Sequence, residues 1–222
     1  TAIEAELLQP SGDRWATLKG TRLDPSTPDR RDWLGEALAA LTIADSATAV
    51  ATLSSYPHGP HGPPVMYPQQ PGVPVYHNRA QWPFVTAYGL KAAARHRHEA
   101  VFQAGADELI RGSAVNLSNM ENAEWTTGEP WFDDGDLSGP IVNSRRQLWS
   151  VAGYLSMVVD GLFGVRPGPD GLSFDPFVPT QLRSDWLDDT VTLHRFPWHG
   201  EAVDLVLELP TGDGPFAAGD VD

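Results

Sequence analysis

The hydrophobic pattern of this chain changes its period near Pro167, and that change limits the folds available to it. Before this point apolar residues recur at the spacing of a helix face, as they do from Trp33 to Leu41. After it apolar and polar residues alternate, as they do from Val203 to Leu209. We therefore predict a mainly α chain, with helical hairpins in residues 1–165 and strands of a partial β-domain in residues 166–222.

Cap and turn residues divide the first part into separate helices. Asp45 precedes the second helical segment as an N-cap does, which predicts an αα-hairpin with the segment before it. Pro83 suits a first helical turn, where its missing N–H costs nothing, so a further helix is expected there. A break near Arg97 separates that helix from one over residues 101–110.

The last helical segment has the widest apolar stripe. It runs from Leu148 to Leu162, and Trp149 and Tyr154 widen the stripe, so we predict a helix that is buried on most sides. Asn143 and Ser144 stand ahead of it and are predicted to form its cap.

Residues 56–74 are rich in Pro and Gly, which exclude both a helix and a central strand. A low-complexity linker is one interpretation. The segment also carries Tyr56, Met66 and Tyr67, and such side chains are typical of a long ordered loop that lines a cleft. The sequence leaves both interpretations open.

Charge and residue content exclude several classes of function. The 222 residues include 15 Lys and Arg against 29 Asp and Glu, a formal net charge of -14. A protein that follows the phosphates of a nucleic acid, or that binds an anionic bilayer, needs the opposite sign, so we expect neither nucleic acid nor membrane as a partner. The absence of Cys excludes disulfides and thiolate chemistry and leaves the localisation unknown. The ends of the chain, which starts at Thr1, suggest a piece of a longer protein.

Residues 116–136 form the densest cluster of side chains suited to chemistry. They place Glu121, Glu124, Trp125 and Trp131 in one connection that is also rich in Asn and Gly. Aromatic faces, carboxylates and amides together are typical of sites that bind sugars. A solvated acidic loop is the simpler interpretation. A calcium loop is possible, although the EF-hand spacing is absent.

A second cluster, at residues 76–84, lies just ahead of a predicted helix. His77, Asn78, Arg79 and Trp82 supply polar and aromatic groups for ligand hydroxyls. The alternative is an ordinary N-cap from Asn78 and a core Trp82. No metal site is expected, because the histidines lack metal-ligand spacing. Those predicted to lie at the surface instead are His58, His61, His96 and His98.

Four segments of the chain occur in a recognisable order. They begin at Tyr76, Asn116, Asn143 and Gly161, and the last reads Gly161-Leu-Phe-Gly-Val-Arg-Pro-Gly-Pro-Asp-Gly-Leu-Ser-Phe-Asp-Pro-Phe-Val-Pro. The order resembles the C-terminal part of (α/α)6-barrel glycosidases, the six-hairpin group that includes α-L-rhamnosidases and cellobiose-phosphorylase-like enzymes. In that group a similar Gly-Pro motif leads from the final barrel helix into a β-sandwich. The resemblance covers residues 30–210.

The resemblance implies part of an (α/α)6 barrel followed by strands of a C-terminal β-sandwich. It implies a glycosidase with two carboxyl groups, usually inverting, without cofactor or metal. The acid is expected on an earlier hairpin that this chain lacks. The implied partners are therefore an oligosaccharide or glycoside and the remainder of the same enzyme, as an upstream segment or as a second chain that completes the barrel. The implied base is Glu124, with Glu121 as second choice. The residues expected to bind substrate are His77, Asn78, Arg79, Trp82, Trp125, Trp131 and Asn143.

Two alternatives remain open from the sequence. Ser144, Arg145 and Arg146 offer donors to a phosphate, so phosphorolysis stands behind hydrolysis. A non-catalytic carbohydrate-binding module explains the Trp and Asn residues equally well and needs no poised carboxylate.

Overall fold

The structure, a computed structural model, describes residues 1–18, 20, 22–23, 26–130, 143–209, 212 and 214–217. No helix within these ranges is long and apolar enough to cross a membrane. The helices are α1 Ala2–Leu7, α2 Trp33–Thr42, α3 Ser46–Ser55, α4 Val75–Asn78, α5 Pro83–Arg95, α6 Glu99–Asn116, α7 Leu148–Ser156, which continues as a π-helix over Met157–Leu162, and α8 Thr180–Trp186. The strands are β1 Arg31–Asp32, β2 Met66–Tyr67, β3 Ala80–Gln81, β4 Ala123–Glu124, β5 Val165–Gly168, β6 Gly171–Phe174, β7 Phe177–Val178, β8 Thr190–Trp198, β9 Glu201–Glu208 and β10 Phe216–Ala217.

The starts of the early helices agree with the cap residues in the sequence. The carboxylate of Asp45 accepts a hydrogen bond from the backbone N–H of Thr48 at 2.8 Å, which satisfies a free donor at the start of α3. Asp32 does the same for α2 through the N–H of Leu34, at 3.0 Å. Pro83 is the first residue of α5. The predicted helices in these three places are confirmed.

The start of α7 differs from the prediction. Its N-cap is Gln147, without a side-chain cap, rather than Asn143 or Ser144. Asn143 instead donates from Nδ2 to the carbonyl oxygen of Asn122 at 2.9 Å. The backbone N–H of Ser144 donates to Glu121 at 2.9 Å. Both residues lie at least three positions before the N-cap, and Asn143 Oδ1 accepts from the N–H of Asn122 at 3.4 Å, so neither supplies a capping oxygen.

The burial predicted for α7 is also wrong. Its buried face is made of small residues, Ser150 and Gly153, and a Cβ at Gly153 would lie 3.1 Å from the Cβ of Ala87 on α5. The bulky side chains lie on other faces, where Leu148 is 83% and Leu155 57% exposed. The described residues therefore cover only part of the wide apolar stripe of this helix.

Helix α5 is central to the helical part, because it packs against α2, α6 and α7. Small residues allow this close approach. A Cβ at Gly89 of α5 would lie 2.5 Å from the ring of Trp33, which is buried at the start of α2. Burial of Trp33 and close packing around it make this crossing a tightly constrained part of the core.

The strands after residue 165 share the buried core with the helices. Phe177 of β7 packs edge-to-face on Phe102 of α6, with ring centroids 5.5 Å apart. The predicted strand region also contains the helix α8, which the sequence analysis missed, and its Leu182 is buried in the same core. The described strands form antiparallel pairs of two strands each, β1–β2, β3–β4, β5–β6, β7–β10 and β8–β9. The architecture is thus a mixture of helices and small strand pairs. The mainly α prediction is confirmed only in part.

The Pro-rich segment is an ordered loop rather than a flexible linker. The hydroxyl of Tyr56 is buried and donates to the carbonyl oxygen of Pro64 at 2.8 Å. The carbonyl of Val65 accepts from the N–H of Trp33 at 2.9 Å, and the N–H of Val65 donates to Ala80 at 2.9 Å. The loop therefore joins the start of α2 to β3.

We expect Gly89→Ala to lower the free energy of unfolding by about 1–3 kcal/mol, because the added methyl group overpacks the Trp33 ring. Gly112→Ala on α6 is the control, since a Cβ there meets no heavy atom within 4 Å. The control should gain about 0.5–1 kcal/mol from helix propensity. Urea denaturation of both variants measures the difference, and equal effects would contradict the close α2–α5 packing.

Candidate functional site

The two clusters singled out in the sequence meet through a short strand pair. β3 and β4 are antiparallel, with Ala80 opposite Glu124 and Gln81 opposite Ala123. The N–H of Trp125 also donates to the carbonyl of Arg79 at 2.9 Å. Side chains more than 40 positions apart in the sequence therefore lie side by side.

Glu124 is completely buried, and both of its carboxylate oxygens have partners. Arg79 donates to Oε1 at 3.1 Å. Oε2 accepts from the N–H of Thr126 at 2.8 Å, from its hydroxyl at 2.6 Å and from the N–H of Thr127 at 2.8 Å. Burial alone would raise the pKa of Glu124, but these hydrogen bonds and the guanidinium hold it below its ordinary value. We expect a general base to open onto a cleft. This carboxylate is instead fully engaged by the described residues around it and anchors a turn.

Glu121 has fewer donors on its carboxylate. Oε1 accepts from the hydroxyl of Tyr76 at 3.0 Å, and Oε2 accepts from the N–H of Ser144 at 2.9 Å. The side chain is 6% exposed. Each carboxylate oxygen offers about two lone-pair directions, so one donor each leaves room for a water or a hydroxyl. Burial and the Glu121 carboxylate together raise the pKa of Tyr76, which keeps that phenol a hydrogen-bond donor.

An aromatic cluster lies beside Glu121. The exposed ring of His77 stacks on the buried ring of Trp82, with centroids 4.9 Å apart. Trp149, from the start of α7, lies 6.3 Å from Trp82 and is 44% exposed. Loss of hydration on partial burial lowers the pKa of His77, so its neutral form is favoured. We call this set the aromatic cluster; its members are Tyr76, His77, Trp82, Phe84 and Trp149.

Other predicted substrate-binding residues have structural duties. The amide of Asn78 is buried and bonds to both the N–H and the carbonyl of Gln70, at 2.6 and 3.0 Å. The indole N–H of Trp125 donates to the carbonyl of Gly62 at 3.1 Å. Asn143 supports the backbone of Asn122, as described above. Trp131 lies outside the described residues.

A separate cavity of about 470 Å³ lies beside the C-terminal half of α6. The sequence analysis missed its most unusual residue, Glu108, which is 5% exposed and accepts a hydrogen bond from the hydroxyl of Thr86 at 2.8 Å. Burial raises the pKa of Glu108 well above its ordinary value, so the protonated form is favoured. The sequence did contain a signal of this burial. Glu108 follows the apolar Val101 by seven residues, and that spacing puts both side chains on one helix face.

The four histidines predicted to lie at the surface are all half-buried, and His58 departs furthest from the prediction. Both ring nitrogens of His58 are buried without a hydrogen-bond partner in the described structure, and its ring packs edge-on against Trp33. Burial lowers the pKa of His58 to about 4. His58 is therefore a neutral packing residue and not a surface histidine. Among the described residues, no group of three or more His, Asp or Glu is placed to hold a metal ion.

Comparison of the chain with protein-family models and with curated proteins gives no match.

We expect Glu124→Gln to destabilise the protein by about 1–3 kcal/mol, because the amide loses the ion pair and leaves buried donors without an acceptor. Glu121→Gln is the matched control. The hydroxyl of Tyr76 can accept from the new amide, so the expected loss is below about 1 kcal/mol. Guanidinium denaturation of both variants compares them. A larger loss for Glu121→Gln would contradict the anchoring role of Glu124.

We expect the stability gained from Glu108→Gln to grow as the pH rises from the ordinary glutamate pKa towards the raised folded value. Wild-type stability falls across that window, because the unfolded chain releases the proton that the folded chain retains. Gln does not titrate, so the free energy of unfolding of the variant does not fall across this window for that reason. Asp107, Arg111 and His61 line the same cavity and are common to both proteins. Denaturation at several pH values tests this, and a constant difference would contradict burial of a protonated Glu108.

Proposed function

We propose that this chain is the C-terminal portion of an (α/α)6-barrel glycoside hydrolase and that Glu121 is its general base. The observation that carries the proposal is the position of a sparsely hydrogen-bonded carboxylate beside the half-exposed aromatic cluster. Aromatic rings bind the C–H faces of sugars, and a carboxylate at their edge meets the hydroxyls or the water around the ring. Support also comes from the resemblance of the motif order to six-hairpin glycosidases.

The choice of Glu121 over Glu124 follows from what each carboxylate already does. A general base must reach a water molecule and accept its proton. Four hydrogen bonds occupy Glu124, and its side chain is fully buried. Among the described residues, Glu121 has one donor on each oxygen, and it lies in contact with Tyr76 of the aromatic cluster.

The helix arrangement supports a barrel segment. α5 lies between α2 and α7, while α3 and α6 connect these helices in sequence. The described residues of two long connections, 56–82 in one and 117–130 with 143–147 in the other, precede the neighbouring helices α5 and α7. In the proposed barrel, further hairpins from the remainder of the enzyme cover exposed Leu148 and Leu155. The β8–β9 hairpin is proposed as part of the β-sandwich.

In the proposed reaction the carboxylate of Glu121 takes a proton from water as the water attacks the anomeric carbon. An acid from outside this chain protonates the leaving oxygen, and the two carboxyl groups stand about 6.5–9.5 Å apart for inversion. Tyr76 and the N–H of Ser144 orient the Glu121 carboxylate. Trp149 and His77 present ring faces to the sugar.

A non-catalytic carbohydrate-binding module is the second candidate. The observation that favours it is that sugar binding needs only the aromatic cluster and the hydroxyl-binding groups beside it. In that case Glu121 orients a sugar hydroxyl and no acid is required. Phosphorolysis is a variant of the first proposal, in which exposed Arg145 and Arg146 bind phosphate near the start of α7.

We expect Glu121→Gln to reduce kcat on aryl glycosides by about 10²–10⁴-fold with little change in KM, because charge is lost while shape is retained. The assay uses the full natural polypeptide, including any residues encoded before Thr1, with and without inorganic phosphate. Glu124→Gln is the comparison: it disturbs the anchor beside the site without removing the base, so we expect a smaller loss of kcat per folded molecule than in Glu121→Gln.

Other outcomes separate the candidates. A large kcat loss in Glu124→Gln alone would return the role of base to Glu124. Sugar binding that depends on Trp149 without any turnover would favour the binding module. Turnover that requires phosphate would favour phosphorolysis, and the absence of both binding and turnover would refute the proposal.

A further inference from the structure

The cavity beside α6 is distinct from the proposed Glu121 site. Residues of α6, the turn at 59–62 and the turn at 127–128 form most of its wall, and Gln81 of β3 contributes from the side. Neither Glu121 nor any member of the aromatic cluster lines it. We propose that this cavity binds an uncharged, hydroxyl-bearing small molecule, such as a single sugar ring, through Gln81 and Glu108. This inference does not depend on hydrolysis by the chain.

The side chain of Gln81 has a buried oxygen that could accept a hydrogen bond from a ligand. That side chain is 3% exposed, and Oε1 is buried without a hydrogen-bond partner in the described structure. Buried acceptors in folded proteins nearly always receive a hydrogen bond, because desolvation without one is costly. A ligand hydroxyl in the cavity would supply the O–H donor that Gln81 lacks.

Glu108 adds the complementary group. Thr86 already donates to its carboxyl, and the Gly59–Gly62 turn closes over it so tightly that a Cβ at Gly62 would lie 2.0 Å from Oε2. A protonated carboxyl donates one hydrogen bond and still accepts others. Gln81 and Glu108 together therefore suit a ligand that both donates and accepts, which adjacent hydroxyl groups do.

The charges around the cavity favour a neutral ligand. Asp107 and Arg111 are paired with each other, with Oδ1 and Nε 4.0 Å apart. Glu108 is held in a buried environment that disfavours its anion, so it offers no counter-charge to a cationic ligand. Among the described lining residues the Asp107 carboxylate and the Arg111 guanidinium carry opposite charges side by side, so neither an anion nor a cation gains net attraction from them. The volume of about 470 Å³ lies within the range of small-molecule sites.

Gly112 provides a direct test, because it lines the cavity and a Cβ there meets no heavy atom within 4 Å. Gly112→Leu adds an isobutyl group whose Cβ starts in open space at the cavity wall. Ala114→Leu is the matched control, since Ala114 is exposed on the same helix and does not line the cavity. Gln81→Leu removes the acceptor while keeping a similar volume. Circular dichroism establishes that each variant is folded.

Isothermal titration of the chain with glucose, rhamnose and myo-inositol measures binding, with glucuronate and glucosamine as charged counterparts. We expect at least one neutral probe to bind, and Gly112→Leu and Gln81→Leu to weaken it by about tenfold or more. Ala114→Leu should bind as wild type does, and the charged probes should bind more weakly.

Several results would overturn the inference. No binding of any neutral probe at about 10 mM would do so, since weaker association is not specific recognition. Binding that survives both Gly112→Leu and Gln81→Leu would place the ligand elsewhere. Equal binding of glucuronate or glucosamine would refute the preference for a neutral ligand. Loss of glycosidase activity in Glu121→Gln tests the proposed function independently of all these outcomes.

Discussion

The buried ion pair between Glu124 and Arg79 is the interaction on which both candidate sites depend. It joins β3 to β4, and the remaining hydrogen bonds of the carboxylate fix the turn that begins at Thr126. A buried carboxylate is costly unless it is fully paired, so this arrangement tolerates few alternative conformations. On one side of the strand pair it places Glu121 against Tyr76. On the other it places Thr127 at the edge of the α6 cavity.

Local signals in the sequence were sufficient for most of the helices. Asp45 and Pro83 act through the backbone of the next few residues, so their effect could be predicted without knowledge of the fold. The same reasoning failed at Asn143 and Ser144, because the helix begins later, after Gln147, and the side-chain oxygen of Asn143 accepts from the N–H of Asn122 instead. α8 was missed because residues 180–186 stand among strand patterns, and burial of Leu182 rather than periodicity secures the helix.

The candidate site could be predicted as a region but not as a set of roles. Glu121 and Glu124 lie three positions apart in the same acidic connection, and nothing local distinguishes them. The difference arises from residues about 45 positions earlier, since Arg79 pairs with one carboxylate and Tyr76 with the other. Tyr76 and Arg79 stand just before β3, so the register of β3 on β4 decides which of them meets which glutamate. Strands of two residues leave almost no sequence pattern from which to predict that register.

Glu108 shows how burial changes the meaning of a residue type. In the sequence it follows Asp107 and reads as part of a charged helix surface. In the fold it lies under a glycine turn, its pKa is raised by burial, and it behaves as a neutral hydrogen-bonding group. The acidity of this chain therefore overstates the negative charge that a ligand meets in the α6 cavity. The two candidate sites consequently use carboxyl groups in opposite ways, with the Glu121 carboxylate proposed to accept a proton and Glu108 favoured in its protonated form.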